Sequence, residues 1–129
     1  MRILACQRNI PAIDSREKQL QHIDTVINKL ETELADKEVD LVVLPELSTI
    51  EYSAENFMNI HLFSEELYGE TYHKFADFCR RNNVAICYGM PRKEDGDAYI
   101  SQVTLGRNGE YLTHYDKIHT AEYGDAAEL

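Results

Sequence analysis

Asp40-Leu41-Val42-Val43-Leu44-Pro45-Glu46 is the stretch that decides how this chain folds. Leu41 to Leu44 are apolar at consecutive positions, so both faces of an extended segment here seek burial, and Pro45 ends the run by removing a backbone donor. A strand buried on both faces belongs in a sheet covered by helices. The cover is supplied upstream. Leu20, Ile23, Ile27, Leu30 and Leu34 recur at steps of three and four, which predicts one apolar stripe on a helix over about residues 15–37, with Lys18, Gln21, Asp24, Asn28, Lys29 and Glu31 on the solvated side. Asp14, with Glu17 three residues on, has the spacing of a capping box at its start. Before that helix, Ile3-Leu4-Ala5-Cys6 is a short apolar run suited to another buried strand. Strand, helix, strand predicts an α/β crossover.

Downstream, residues 47–68 mix polar and apolar positions with neither period and predict a loop with short helical turns. Tyr72, Phe75, Ala76 and Cys79 stand at helical spacing and predict a second helix from Glu70 to Arg81, ended by Asn82-Asn83. Val84 to Gly89 is the next predicted strand. The polar group at 93–97 turns the chain into another strand at about Ala98 to Leu105. Gly106-Arg107-Asn108-Gly109 signals a hairpin, because Asn-Gly tolerates the positive φ angles of a tight turn, and Tyr111 to Ile118 is the returning strand. The chain contains no internal repeat, low-complexity tract or linker. Residues 1–129 are therefore expected to form a single, partial domain: a larger α/β fold cut short, with only the polar, alanine-rich residues His119 to Leu129 after the last predicted strand.

Composition narrows the class of function. The 129 residues carry 13 Lys plus Arg against 23 Asp plus Glu, a net charge of −10, with 43 % apolar and 28 % charged residues. That is an ordinary globular balance, and its acidity argues against nucleic-acid and membrane-surface partners. Apolar runs such as Leu41 to Leu44 fall far short of the roughly 20 residues that span a bilayer. The first residues lack the charged start, long apolar centre and small-residue cleavage site of a secretory signal, so none is expected. Cys6, Cys79 and Cys87 are odd in number and widely spaced, the pattern of reduced thiols, so a soluble cytoplasmic protein is expected.

Two positions carry candidate chemistry. Glu46 follows the most buried predicted strand at its carboxyl end, the edge where open α/β sheets bind ligands, and a carboxylate there is a candidate general base. It also fits a capping or solvated glutamate. Lys117 lies in Tyr115-Asp116-Lys117-Ile118-His119, where strand alternation turns it to the face opposite Asp116 and Ile118. A lysine there can pair with Glu46 or stabilise an oxyanion, and equally fits an exposed surface lysine. Cys6 and Cys87 sit in apolar strand runs and Cys79 on the apolar face of a predicted helix, where a free thiol behaves as a small hydrophobe. His22, His61, His73, His114 and His119 show no metal-ligand spacing, so no metal is expected, and Gly106 and Gly109 make no phosphate-binding turn.

Together, Leu41-Val42-Val43-Leu44-Pro45-Glu46-Leu47, Tyr52 and Tyr115-Asp116-Lys117-Ile118-His119 resemble the first two signatures of the nitrilase (carbon–nitrogen hydrolase) superfamily. Ala5-Cys6-Gln7, the long first helix, Gly89 ending a strand and the Asn108-Gly109 hairpin agree with it. The resemblance covers the whole chain but only about the first half of a family domain. It implies an α-β-β-α sandwich, present here as its N-terminal half, and a Glu-Lys-Cys catalytic set acting on a small amide or nitrile without a cofactor. Glu46 matches the base, Lys117 the lysine that steadies the tetrahedral intermediate, and Tyr52 is a candidate for the substrate pocket. The family's nucleophilic cysteine lies beyond the lysine motif, and Cys6, Cys79 and Cys87 do not match it. Glu122 and Glu128 are candidates for the second glutamate many members use. Glu51 stands where the family usually has Gly, and Thr120 where it has Leu. Pairing into a homo-oligomer is implied as well.

From these residues Glu46 and Lys117 are expected within ion-pair distance at the carboxyl ends of neighbouring strands. One sheet face is expected to need the rest of the fold or self-association to cover it. If 129 residues were the whole polypeptide, no turnover is expected. The alternative reading is then a catalytically inactive, truncated or degenerate module acting in subunit association. An unrelated flavodoxin-like domain explains the alternation but neither Glu46 nor Lys117.

Overall fold

In the computed structural model, which describes residues 1–6, 10–50 and 53–117, the buried run becomes β2 (Leu41–Val43), the second strand of a five-stranded sheet. It lies parallel to β1 (Ile3–Ala5) on one side and to β3 (Ala85–Glu94) on the other. β4 (Asp97–Leu105) and β5 (Tyr111–Asp116) follow as antiparallel hairpins, giving the order β1-β2-β3-β4-β5. Because β5 reverses twice relative to β3, it again runs parallel to β2. The carboxyl ends of β2, β3 and β5 therefore share one edge. This is the α/β class the strand and helix pattern predicts.

Helix α1 (Arg16–Leu34) and helix α4 (Glu70–Asn82) cover one face of the sheet, with α2 (Ala54–Met58) and α3 (Ile60–Phe63) between them in sequence. Their apolar sides meet Val42, Ile86, Tyr88, Met90, Val103 and Leu105 in one core, where the Phe75 and Tyr88 rings stack at 4.5 Å. The short helices fulfil the expected helical turns within 47–68. Asn83 closes α4 in the left-handed region at φ 51°, as the Asn pair predicts. The hairpin after β4 turns at Gly109, whose φ is 76°; a Cβ there would stand 2.8 Å from the Ala76 carbonyl oxygen.

Several boundaries differ from the sequence reading. Ser15, not Asp14, caps α1, its Oγ accepting from the Lys18 amide at 3.2 Å, while Asp14 pairs with the Lys18 ammonium at 3.0 Å. The helix stops at Leu34 rather than near residue 37. Its stripe gains Val26, whereas Leu20 and Leu34 are only partly buried. β3 continues past Gly89 to Glu94, straight through Pro91. Proline is tolerated because that edge of β3 faces away from β4, where β2 has already ended, and only the Pro91 carbonyl is used, by the Glu65 amide at 3.2 Å. β5 ends at Asp116, and Ile118 lies outside the described residues.

The other face of the sheet is different. Leu41, Val43, Ala85, Cys87, Gln102 and Thr104 are half-buried there, and Ile3, Ala5, Thr113 and Tyr115 are exposed. The described chain thus supplies one helical and one sheet layer. No helix among the described residues is long and apolar enough to cross a membrane.

Candidate active site

After β2 the chain does not run straight on. It crosses over β3 at Gly89, so closely that a Cβ on Gly89 would lie 1.5 Å from the Glu46 carbonyl oxygen. Only a residue without a side chain fits beneath the crossing. Ser48 pins it: its Oγ accepts from the Gly89 amide and donates to the Gly89 carbonyl, each at 2.9 Å, and its own amide reaches that carbonyl at 3.1 Å. Farther along, the His22 Nε2 donates to the Ser48 carbonyl at 3.0 Å, and the Gln19 amide group donates to Phe63 O at 3.1 Å. Burial holds the His22 imidazole below its usual pKa against the opposing Ser48 bond, and the Lys29 charge adds to the lowering.

The crossing carries Glu46 to the open face, towards β4 and β5. Lys117 reaches the same edge from the far side of the sheet, one residue past β5, its amide donating to Ile100 O at 2.9 Å. The Lys117 Nζ stands 3.4 Å from Glu46 Oε1. The expected ion pair is therefore present, but not between neighbouring strands: β3 and β4 lie between β2 and β5, and the crossing at Gly89 closes the gap. Glu46, Ile100, Gln102, Tyr115 and Lys117 line a cavity of about 380 Å³ at this point. The side chains of Lys117 and Glu46 are 41 % and 54 % exposed, and an exposed pair of this kind contributes at most about 1 kcal/mol to folding. Stability does not account for the convergence.

Beneath Lys117, on the helix side, Asp116 is held by Arg92 Nη2 at 2.6 Å, Arg92 Nε at 3.3 Å and the Ser101 hydroxyl. Burial opposes ionisation of Asp116, but the Arg92 and Ser101 hydrogen bonds outweigh it and keep its carboxyl below the usual carboxylate range. His114 Nε2 lies 3.6 Å from the same carboxylate, and its Nδ1 meets the Tyr111 hydroxyl at 2.7 Å. A buried carboxylate, Glu65, is occupied by the Thr71 amide at 2.7 Å, the Thr71 hydroxyl at 2.8 Å and Arg16 at 2.7 Å, and holds the turn into α4.

Among the described residues, no cysteine lines the cavity. Cys79 is buried in the core, and burial pushes its thiol up to about 12. Cys6 is half-buried just past β1, and Cys87 is half-buried on the open face, accepting from Gln102 Nε2 at 3.2 Å. Tyr52, Glu122 and Glu128 lie outside the described residues, as do Glu51 and Thr120. Among the described residues no cluster of three or more His, Cys, Asp or Glu offers a metal site. Sequence reasoning missed Gly89 as the seat of Glu46, and it missed Arg92, Ser101 and Ser48. The one signal for the anchor was alternation, which sets Asp116 on the face opposite Lys117.

A model of the carbon–nitrogen hydrolase family matches residues 2–128. The chain belongs to the carbon–nitrogen hydrolase family. Solved structures share its fold. An N-terminal amidase superposes with a TM-score of 0.74 at 18 % identity, over 95 % of this chain and 30 % of its own. An amidase from Nesterenkonia sp. gives 0.71 at 19 % identity, over 92 % and 43 %. A carbon–nitrogen hydrolase from Helicobacter pylori G27 gives 0.67 at 23 % identity, over 91 % and 39 %. The chain thus spans less than half the length of these carbon–nitrogen hydrolase relatives, and it presents the N-terminal part of their fold. No match was found among curated proteins.

Proposed function

We propose that the native-length protein hydrolyses the C–N bond of a small amide or nitrile, with Glu46 and Lys117 as two members of its catalytic set and a thiol from sequence beyond Leu129 as the third. The observation that supports this most is the 3.4 Å approach of Lys117 to Glu46 across two intervening strands, beside an open cavity. A thiol is a weak nucleophile until a base takes its proton, the work assigned to Glu46. With an amide, the thiolate adds to the carbonyl carbon, and the Lys117 ammonium holds the oxyanion that forms. Collapse expels the amine, which takes the proton from Glu46, and leaves a thioester. Glu46 then takes a proton from water, whose oxygen attacks the thioester, releasing the acid and restoring the thiol. Chain that covers the open face would exclude water and strengthen each of these interactions.

The test is a panel of small amides and nitriles assayed with native-length protein, with thiol alkylation as control. Glu46→Gln is expected to lower kcat by about 10²–10⁴ through loss of the base, and Lys117→Ala by about 10²–10³ through loss of the oxyanion partner. The 129-residue chain alone is expected to show no turnover. Turnover that survives alkylation, or that ignores Lys117→Ala, would overturn this assignment.

A further inference from the structure

We propose that Arg92 and Asp116 are positioning residues for Lys117, and that β3 acts as a common jig for both members of the ion pair. The need for such a device follows from the lysine itself. Its ammonium sits on a flexible stem, half exposed, and the pair with a solvated carboxylate restrains it only weakly. What the structure fixes instead is the backbone from which the stem projects. Strand alternation sends Lys117 to the open face and Asp116 to the helix side. There Asp116 meets the guanidinium fork of Arg92 through Nη2 at 2.6 Å and Nε at 3.3 Å, together with the hydroxyl of Ser101, its partner in register on β4. A two-pronged pair fixes direction as well as distance.

Arg92 is itself immobilised. Its side chain is 5 % exposed, Nη1 donates to Glu94 at 2.9 Å, Nε also reaches Ser101 Oγ at 3.1 Å, and the guanidinium lies 5.3 Å from the centre of the Tyr99 ring. The same strand carries Gly89, on which the Glu46 backbone rests. One face of β3 thus seats Glu46, and three residues on its other face anchors the neighbour of Lys117. A change in either is expected to alter the geometry of the pair without touching substrate.

The kinetic arm of the test rests on the proposed amidase activity; the spectroscopic arm does not. In native-length protein, Asp116→Asn and Arg92→Met are expected to lower kcat by up to about 10²-fold with KM little changed, the loss that follows when a reacting group is displaced by about 1 Å. Arg107→Met, which breaks the Arg107–Asp40 pair at the opposite end of the strands, should leave kcat unchanged. In a Lys117→Ala background the two positioning substitutions should add nothing further, because their effect travels through that lysine. The Lys117 side-chain ¹⁵N resonance should move towards those of exposed lysines in both variants. Losses that multiply in the Lys117→Ala background, or an unmoved resonance with only Tm lowered, would reduce Arg92 to a structural role. Should the wild type hydrolyse nothing on the panel, the amidase assignment falls, and the resonance alone decides the positioning: moved upholds it, unmoved overturns it. Asp116→Asn keeps the shape of the side chain, so the question stays answerable if Arg92→Met does not fold.

Discussion

The two faces of the sheet are built to different rules. On the helix side Val42, Ile86, Tyr88, Met90, Val103 and Leu105 are sealed beneath α1 and α4. On the other side the same strands present Val43, Cys87, Gln102, Thr104 and Tyr115, none fully buried, and the Glu46–Lys117 pair. Alternation makes this possible, since neighbouring residues of one strand answer to different selection. The covered face holds the fold; the open face holds the ion pair and the cavity beside it. They communicate at β3, where Gly89 and Arg92 serve opposite sides of one backbone.

The comparison can be broken most severely from the covered side. Phe75→Ala removes the ring stacked on Tyr88 and is expected to cost about 3–5 kcal/mol, read from denaturant unfolding. Next comes the junction: Gly89→Ala forces a methyl group into the Glu46 carbonyl and should cost about 3 kcal/mol, with turnover lost out of proportion to the fraction unfolded. A smaller effect is expected at His22, whose lowered pKa makes the folded state prefer the neutral ring. Its contribution is complete above the unfolded value of about 6.5 and is lost as pH falls towards the lowered folded value. Stability should therefore decline on acidification through that window, and His22→Gln should flatten the decline in a pH series of Tm. The Tyr88 hydroxyl, buried without a hydrogen-bond partner among the described residues, gives a gain instead: Tyr88→Phe should stabilise by about 1 kcal/mol. On the open face Thr104→Ala should stay within about 0.5 kcal/mol. A cost there as large as that of Phe75→Ala would abolish the distinction between the faces.

The elements visible in the sequence were those written in a single period. α1, α4 and the consecutive apolar residues of β2 declare which side is buried, and Asn108-Gly109 declares a turn, because each involves only near neighbours. Glu46 and Lys117 were legible as positions in motifs, and their meeting as an expectation. The route by which they meet was not. It depends on Gly89 being opposite Glu46, a contact between residues far apart in sequence that no local pattern records. Gln19 and His22 fall on buried positions of α1 yet look like surface residues, since their partners, Phe63 and Ser48, come from the segment after β2. Arg92, within Pro91-Arg92-Lys93-Glu94, has the composition of a solvated turn; only the register of three strands brings it to Asp116.

The proline in β3 also bears on how this strand edge is kept from pairing with a stray extended chain. Where β2 stops, the outer edge of β3 would ordinarily offer a row of vacant backbone groups, a template for any extended chain. Here Ser48 takes the Gly89 amide and carbonyl, Glu65 takes the Pro91 carbonyl and the Lys93 amide, and Pro91 has no amide to offer. A stray strand that approached this stretch would find its hydrogen-bonding positions already filled. The edge beside the candidate site is thus closed to amyloid-like addition by three residues of ordinary chemistry, without a further strand to guard it.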